Sequence, residues 1–406
     1  MTEKLAIWGL GTVGNNSAHI YLGAHGGPVI GVKRTANPDD VNTKNLLWLY
    51  DNFGKSSIDL YITPGEDYKD RKEDFEYLGM EVIGSTDDID FSEIGYIIDC
   101  SPKHTEVKNY KNIFSKHPGI RLMLQGGGDD NLVNGRNYLS VENATGHLYF
   151  EDYSQKSIKQ VSCNTSGTGN GLSDILKVET PENIKRITTD FTRRQKDPGM
   201  KPGEPLRDGL KTEEYSHHFE DVIKVFPQLK GKLRPSEASM GPWTHYHKIS
   251  AKIDFYRPFD FEGIVKEFEK DPRLAFMKET EGEREMKERI LRGERREKEK
   301  VVKMDMDEIL KLSKKNGIRD GDCLIPIYYA EKIDDTEMKF VCIVPQRSVP
   351  CPSILNMLTK VFEKPDATWE EVNQYNNQHA KWYGHSFQEI KKIFEEKLPR
   401  PEPKSI

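Results

Sequence analysis

Cysteine is scarce in this chain. The 406 residues contain five cysteines, namely Cys100, Cys163, Cys323, Cys342 and Cys351. An odd number without a Cys-x-x-Cys pair excludes a disulfide framework and argues against a cysteine-rich zinc site. Sparse, unpaired cysteines are typical of a reducing compartment, and we therefore expect a cytoplasmic protein.

Long apolar runs and an excess of positive charge are also missing. Hydrophobic residues make up 35% of the chain, charged residues 31%, and the net charge is −6. No stretch has the length and apolar character of a membrane span, and no signal-peptide pattern precedes the apolar run at residues 4–8. A negative net charge argues against a protein that coats nucleic acid. We expect neither a membrane nor a nucleic-acid partner.

The first 160 residues alternate between short apolar runs and helical stretches. The apolar runs cover residues 4–8, 28–32, 95–100 and 120–124, and several end in glycine, serine or proline. Such alternation predicts an α/β fold with a doubly wound parallel sheet over residues 1–162. We expect the first helix over residues 15–22, with Gly23 ending it.

The pattern changes after residue 162. Residues 187–193 and 245–255 alternate between apolar and polar positions, as half-buried strands do. This predicts an α+β domain with a largely antiparallel sheet over residues 163–351. Residues 196–214 are rich in proline and glycine and predict a long loop, whereas the charge-dense residues 278–303 predict a solvated helix.

Two further helices are expected near the C-terminus. Ser353 is placed to cap the first, and the pair Thr368-x-x-Glu371 matches a capping box at the start of the second. We expect helices over residues 352–395 to pack with the first domain.

A glycine pattern, Gly9-x-Gly11-x-x-Gly14, follows the first apolar run and precedes a helix. This is the context of a dinucleotide site of the Rossmann type, where glycines let the backbone approach a pyrophosphate at a helix N-terminus. The alternative is a glycine turn that only packs a helix on a sheet. The first interpretation makes the turn residues cofactor ligands: Gly9, Gly11, Thr12, Val13 and Gly14.

The end of the second strand bears on the choice of cofactor. Enzymes that use NAD usually place an acidic residue there, about 20 residues after the glycines, to bind the ribose 2′-hydroxyl. This chain has Lys33, Arg34 and Thr35 instead. A cationic pair suits a 2′-phosphate and favours NADP. If both are ordinary surface charges, NAD binds about as well.

Cys163 is expected at the junction of an apolar strand end and a small, polar, glycine-rich turn. Most lone cysteines are structural. The neighbours Asn164, Thr165 and Ser166 are poor core formers and good hosts for an anion, which favours a nucleophile. A helix starting after Gly171 would lower the pKa of the thiol, and backbone N–H groups could hold an oxyanion. With a dinucleotide site, this predicts a thiolate that captures an aldehyde whose hydride passes to a nicotinamide.

A nucleophilic thiol needs a base, and two histidine pairs are candidates. His217 and His218 are expected at a helix N-terminus, and His245 and His247 share the apolar face of a strand. We expect His245 to be a core histidine. A metal site built from all four lacks a carboxylate or thiolate set, so we predict no metal.

Arg193 and Arg194 end a strand and lead into a loop. They are either surface charges or a clamp for a substrate phosphate, which arginine binds bidentately.

Together these segments resemble the archaeal (type II) phosphorylating glyceraldehyde-3-phosphate dehydrogenases. The matching segments are residues 9–14, 31–35, 99–102, 124–127, 161–165, 192–194, 197–198, 216–218, 221–222 and 245–247. They follow the family's order and span roughly residues 4–362. The segment around Cys163 and the two histidine pairs are specific to this family, whereas the glycine pattern is not.

The resemblance implies roles for named residues. Cys163 is the nucleophile and His247 the base, and Ser101 and Gly126 join the cofactor ligands. It implies substrate or phosphate ligands at Asn164, Thr165, Arg193, Arg194, His217 and His218. It also implies NADP or NAD as cofactor and a homotetramer that acts in glycolysis or gluconeogenesis.

The chain departs from the family at several places. Trp8 stands where the family usually has asparagine, and Phe219 and Glu220 replace a Gly-Pro pair. The run from Thr168 to Gly171, residues 278–303 and the tail beyond Lys364 are additions. The chain is thus expected to be a divergent member. Two alternatives stay open: a related acyl-phosphate reductase such as an aspartate-semialdehyde dehydrogenase, or a non-catalytic paralogue that binds a dinucleotide.

Overall fold

The computed structural model describes residues 3–125, 127, 130–145, 157–194, 210–213, 217–234, 236–241, 245–278, 292, 306–317, 325–382 and 384–397. Its helices are α1 (Thr12–His25), α2 (Val41–Phe53), α3 (Tyr68–Tyr77), α4 (Lys103–Asn112), α5 (Cys163–Val178), α6 (His217–Val225), α7 (Phe261–Lys270), α8 (Met306–Lys315), α9 (Cys351–Leu358), α10 (Trp369–His379) and α11 (Phe387–Lys397). Its strands are β1 (Lys4–Trp8), β2 (Val29–Val32), β3 (Ile58–Ile62), β4 (Val82–Ser85), β5 (Ile94–Asp99), β6 (Arg121–Leu124), β7 (Asn137–Tyr138), β8 (Ile158–Gln160), β9 (Ile184–Arg194), β10 (Leu210–Glu213), β11 (Ser236–Gly241), β12 (Tyr246–Phe255), β13 (Ala275–Phe276), β14 (Ile327–Asp334), β15 (Glu337–Pro345), β16 (Lys381–Trp382) and β17 (His385–Ser386).

The first sheet has eight strands in the order β4-β3-β2-β1-β5-β6-β8-β7. Every described pairing in it is parallel. Its central strands are apolar on both faces, as a sheet covered on both sides requires: Leu5 and Ile7 belong to one core cluster, and Ala6 and Trp8 to another. The predicted doubly wound parallel sheet is confirmed. β1 lies between β2 and β5, so the chain reverses its winding direction where the glycine turn follows β1.

The first helix is longer than predicted at both ends. It begins at Thr12, and Gly23 lies inside it. It ends at Gly26, whose φ of 69° places it in the left-handed region and whose N–H donates to the carbonyl of Leu22. A glycine at this position satisfies a terminal carbonyl without the steric penalty that a Cβ would bring.

The second sheet has seven strands in the order β10-β11-β9-β12-β15-β14-β13. It is mixed: β11 runs parallel to β9 and β13 parallel to β14, and the other pairings are antiparallel. The alternation predicted along β12 is present, with Ile249 buried and Lys248 exposed. Tyr246 departs from it, because a further core cluster covers that end of the opposite face.

The prediction of a loop over residues 196–214 is wrong for residues 210–213. They form strand β10, which pairs with β11, while the rest of that segment lies outside the described residues. The predicted charged helix over residues 278–303 is also outside them, apart from Lys278 and Arg292.

The glycine-containing run after Cys163 is a helix, α5, rather than a turn. A Cβ on Gly167 would overlap the Val344 side chain and lie 2.8 Å from Cδ1 of Ile249. A Cβ on Gly171 would lie 3.0 Å from the Phe340 ring. The glycines therefore bring α5 close to β12 and β15, and this close packing overrides their low helix propensity.

Helix α9 packs on the first sheet, whereas α11 shares a core cluster with residues of β13, β14 and β15. Ile354, Met357 and Leu358 of α9 share a core cluster with residues of β1 and β3. α9 begins at Cys351, so Ser353 is not its cap; the Ser353 hydroxyl instead accepts a hydrogen bond from the Ser140 N–H. The capping box of Thr368 and Glu371 is confirmed at the start of α10.

The domain limits at residues 162 and 351 stay a prediction. In the part of the chain that the structure describes, no helix is both long and apolar enough to cross a lipid bilayer.

We expect Gly167→Ala to destabilise the protein by about 1–3 kcal/mol, because the added methyl overpacks the contact between α5 and the sheet. Thermal unfolding followed by circular dichroism measures this as a lower melting temperature. Gly119→Ala is the matched control, since a Cβ there meets nothing within 4 Å. Equal melting temperatures for the two variants would contradict the close contact.

Candidate active site

Cys163 is the first residue of α5. Ser162 caps the helix, and its Oγ accepts the Thr165 N–H at 3.2 Å. Cys163 is half-buried, whereas Asn164 and Thr165 are buried. The candidate nucleophile thus lies at a helix N-terminus, as expected from the sequence. The helix begins at the cysteine itself and not after Gly171.

His247 and Gln346 lie beside the sulfur. His247 is on β12 and is 3% exposed, and Gln346 directly follows the last residue of β15. The Cys163 thiol donates to Oε1 of Gln346 at 3.1 Å, and Nε2 of His247 makes a short hydrogen bond to the same oxygen. The predicted nucleophile and base are therefore brought together, with one amide oxygen between them.

Sequence reasoning missed Gln346. Its place follows from strand register: Val344 pairs with His247, and the Gln346 N–H donates to the carbonyl of His245 at 3.1 Å. No motif around Gln346 marks it. Only the pairing of β15 with the histidine strand could have pointed to it.

The protonation states at this site are set mainly by burial. Burial raises the pKa of the Cys163 thiol, although the positive charges of Arg194 and Arg193 and nearby backbone N–H groups lower it. Burial also lowers the pKa of His247 to about 3, against the effect of its hydrogen bond to Gln346. At Cys163 burial thus outweighs the lowering of the thiol pKa that was expected from a helix N-terminus.

His218 forms hydrogen bonds with the two residues that flank Cys163 in the sequence. It is 5% exposed; its Nδ1 lies 2.8 Å from Ser162 Oγ and its Nε2 lies 3.2 Å from Asn164 Nδ2. The histidine thereby links α6 to the first turn of α5. Its predicted role as a phosphate ligand stays a prediction.

The other predicted phosphate ligands lie on α6 and β9. His217 begins α6, as predicted, but its side chain is outside the described residues. α6 is anchored by Asp221, which is buried and lies 3.3 Å from Lys159 Nζ. Arg193 and Arg194 end β9, as predicted, and their charges act on both the thiol and the imidazole.

The expectation that His245 is the core histidine is wrong. β12 begins at Tyr246, so the strand alternation does not extend to His245, which is half-buried. His247 is the buried one, and its Nδ1 has no hydrogen-bond partner among the described residues.

The glycine turn uses its three glycines differently. Gly9 has a φ of 80°, and a Cβ there would lie 2.9 Å from the Ser101 nitrogen; a Cβ on Gly14 would overlap the Gly9 carbonyl. These two glycines are needed for packing. At Gly11 a Cβ would meet only the Gly9 oxygen, at 3.9 Å, so the space beside it is open.

The residues of this turn fit a dinucleotide. Thr12 and Val13 form the first turn of α1, a fully described helix that has no side-chain cap and no acidic residue in that turn. Its N–H groups and the space at Gly11 suit a pyrophosphate. Ser101 is buried opposite Gly9, and its N–H donates to Asp99; Gly126 is outside the described residues.

Lys33 does not form a cationic pair with Arg34. It is 8% exposed; its Nζ donates to the Leu10 carbonyl at 3.2 Å and lies 3.8 Å from Asp40. Arg34 and Thr35 are exposed, and the Arg34 carbonyl accepts a hydrogen bond from Arg71. Lys33 thus contacts the glycine turn, and the role of Arg34 as a cofactor ligand stays a prediction.

Two departures from the resembled family can be located. Trp8 is buried with its ring edge on Phe114, centroids 5.2 Å apart, so it adds an apolar contact rather than a polar one. Glu220 is exposed on α6, and the Phe219 side chain is outside the described residues. In the described ranges no three His, Cys, Asp or Glu side chains gather as metal ligands do.

Comparison with curated proteins finds relatives named glyceraldehyde-3-phosphate dehydrogenase. The glyceraldehyde-3-phosphate dehydrogenase of Methanothermus fervidus is 25% identical over 378 residues, covering 92% of this chain and 98% of that protein. The protein of the same name from Methanobrevibacter smithii is 26% identical over 282 residues, 69% of this chain and 75% of the relative. The protein of the same name from Methanococcus maripaludis is 31% identical over 221 residues, which cover 52% of this chain and 59% of the relative. No protein-family model matches the chain.

Comparison with solved structures finds proteins of the same fold. Aspartate semialdehyde dehydrogenase II from Vibrio cholerae superposes with a TM-score of 0.55 at 10% identity, covering 89% of this chain and 100% of that one. A probable aspartate-semialdehyde dehydrogenase from Pseudomonas aeruginosa gives the same values. The likeness confirms a Rossmann sheet joined to a second α/β unit.

We expect the alkylation rate of Cys163 by iodoacetamide to keep rising with pH through the ordinary range of a thiol. Burial raises the pKa of this thiol, so the reactive thiolate is a minor species at neutral pH and grows as pH increases. Peptide mass spectrometry of the alkylated protein measures the rate at each pH. A rate that reaches its plateau below pH 7 would contradict the neutral resting thiol.

Proposed function

We propose that this chain, a divergent relative of the archaeal glyceraldehyde-3-phosphate dehydrogenases, oxidises glyceraldehyde 3-phosphate to 1,3-bisphosphoglycerate with inorganic phosphate and NADP. The observation that carries the proposal is the grouping of Cys163, Gln346 and His247 at the N-terminus of α5. The relative from Methanothermus fervidus, aligned over nearly its whole length, supports the same substrate.

The first step is addition of the thiol to the aldehyde. The Cys163 sulfur forms a bond to the carbonyl carbon, the C=O π bond breaks, and the thiol proton ends on the substrate oxygen. A neutral thiol and a neutral aldehyde thus give a neutral thiohemiacetal. N–H groups at the start of α5 are placed to stabilise the developing oxyanion, a contribution of about 3 kcal/mol for one donor.

In the second step His247 takes the hydroxyl proton while a hydride leaves the same carbon, which becomes a thioester. A nicotinamide dinucleotide held through its pyrophosphate by the glycine turn would supply the hydride acceptor. The hydrogen bond to Gln346 favours the protonated imidazole, against the burial that lowers the pKa of His247.

The third step is attack of inorganic phosphate on the thioester. The carbon–sulfur bond breaks, the acyl phosphate leaves, and the proton held by His247 restores the thiol. Two anions must bind, the substrate phosphate and the attacking phosphate. Arg193 and Arg194 supply positive charge for these anions, and the N-terminus of α6, where His217 stands, suits an anion as well.

An aspartate-semialdehyde dehydrogenase activity is the second candidate. The fold likeness to two proteins of that name favours it, since the same thiol chemistry serves both substrates. Activity with aspartate semialdehyde and none with glyceraldehyde 3-phosphate would select it. A paralogue without catalysis would bind the dinucleotide and turn over neither aldehyde.

The remaining parts of the proposal concern the whole enzyme. We place the dinucleotide on residues 1–162 with the helices of residues 352–395, and substrate on residues 163–351. We infer a homotetramer in the cytoplasm that serves glycolysis or gluconeogenesis.

Cys163→Ser is expected to abolish turnover and to leave dinucleotide binding intact, because the glycine turn does not depend on the sulfur. Purified protein is assayed at 340 nm with glyceraldehyde 3-phosphate, phosphate and NADP, and fluorescence titration measures NADPH binding. Cys351→Ser, a buried cysteine that lies in α9, is the control and should keep activity. Undiminished turnover in Cys163→Ser would refute the proposal.

Arg34→Ser is expected to raise the KM for NADP by roughly ten- to a hundredfold, since a charge-assisted hydrogen bond to a 2′-phosphate is worth roughly 1.5–3 kcal/mol. The KM for NAD should change little, because NAD lacks that phosphate. Arg234→Ser, another exposed arginine, is the control. Equal changes for both nucleotides would show that Arg34 does not read the 2′ position.

A further inference from the structure

Arg71, in the first half of α3, is a buried arginine with no part in the chemistry at Cys163. It is 6% exposed. Its Nη1 donates to the Arg34 carbonyl at 3.0 Å and to Thr63 Oγ1 at 3.2 Å. Its Nη2 donates to the Thr63 carbonyl at 2.9 Å and lies 2.9 Å from Asp67 Oδ1. Nη1 and Nη2 thus each have two partners within the protein, which makes Arg71 a brace for its neighbours and not a ligand of the cofactor.

The contacts of Arg71 join the ends of two neighbouring strands. β2 and β3 pair in parallel, and Arg34 and Thr63 lie just past their last residues. Asp67 directly precedes α3. A guanidinium is a rigid planar fork, so it fixes these three segments in one arrangement, as the flexible point charge of a lysine would not.

The end of β2 is also tied to the glycine turn. The N–H groups of Gly9 and Leu10 donate to the Val32 carbonyl at 2.9 and 3.1 Å. In a Rossmann sheet the residues that follow the second strand lie beside the ribose of a dinucleotide bound at this turn. Arg34, a predicted cofactor ligand, is exposed at this place, and its charge suits a 2′-phosphate.

The main chain of Arg34 determines how far its guanidinium can reach. Because the side chain is exposed, its surroundings restrain it little, whereas the hydrogen bond from Arg71 restrains its carbonyl. A fixed main chain lowers the conformational entropy that is lost when a long side chain is ordered on an anion. Support of this kind sets how well a binding group is placed before the ligand arrives.

We propose that Arg71 is a positioning residue for the choice of cofactor: it holds the main chain of Arg34 at the end of β2, so that Arg34 reaches the 2′-phosphate of NADP. This rests on the proposed function, in which NADP is the cofactor. NAD carries a hydroxyl in place of that phosphate. Its binding therefore needs neither the Arg34 charge nor the brace that places it.

The test is Arg71→Met, which removes the N–H donors and keeps an apolar side chain in the buried space. The Kd of NADPH should rise about tenfold, as for the loss of one charge-assisted hydrogen bond. The Kd of NADH should stay nearly unchanged. Fluorescence titration of the purified protein, well below its melting temperature, measures both constants. A brace that only stabilises the fold would lower the melting temperature and leave the ratio of the two constants as in the wild type.

Arg121→Met is the matched control. Arg121 is half-buried and its Nε donates to the Gly95 carbonyl at 3.2 Å, in the same sheet but at the start of β6, whereas the glycine turn follows the end of β1. It should leave the ratio unchanged. If Arg71→Met fails to fold, Arg71→Lys serves, since it keeps the charge without the fork and should show a smaller shift in the same direction. An unchanged ratio in the folded Arg71 variant would overturn the inference.

A double variant shows whether Arg71 acts through Arg34. The variant Arg34→Ser/Arg71→Met should bind NADPH no more weakly than Arg34→Ser alone, because the brace has nothing left to position. Losses that add would mean that Arg71 acts on the phosphate by another route, such as the charge of Asp67 left without its partner. That result would also overturn the inference.

The titration needs no aldehyde. A shifted ratio in a protein that does not oxidise glyceraldehyde 3-phosphate would reject the proposed function and keep the role of Arg71. Glyceraldehyde-3-phosphate oxidation together with a wild-type ratio in Arg71→Met would reject the inference alone, as would a wild-type protein that binds NADH as tightly as NADPH. A wild-type protein that binds neither nucleotide would overturn both.

Discussion

The close contact of α5 with β12 and β15 is the constraint on which the site depends. Gly167 permits it, because any side chain there would overlap Val344. The contact places the first residue of α5, Cys163, beside the ends of two strands that carry His247 and Gln346. A looser helix would separate the sulfur from both groups. Packing of apolar residues on one side of the helix thus determines the chemistry available at its first turn.

Much of the fold was predictable from the sequence. The run of short apolar segments ending in glycine or serine predicts the parallel sheet, and strict alternation over residues 245–255 predicts β12. The glycines after Cys163 misled the prediction, since glycine favours turns in an isolated chain. Here tertiary packing overrides that preference, and no local pattern distinguishes a glycine needed for a turn from one needed for a helix contact.

The site was predictable in part. Cys163 and His247 are recognisable from motifs, and the structure brings them together. The place of Gln346 depends on strand register. The inward position of Lys33 depends on its hydrogen bond to the Leu10 carbonyl, 23 residues earlier in the chain. The pKa of the Cys163 thiol could not be predicted from the neighbouring residues either, because burial raises it by more than the backbone N–H groups of the helix N-terminus lower it. Contacts between residues far apart in sequence account for each of these differences.

The hydrogen bond from the Cys163 thiol has a consequence for chemical damage. Peroxides oxidise the thiolate and react slowly with a protonated sulfur, so a cysteine held as S–H is a poor oxidation target. Dehydrogenases that rest with an ionised cysteine do not have this protection. A Cys163 sulfur that keeps its hydrogen bond to Gln346 is therefore expected to form sulfenic acid slowly.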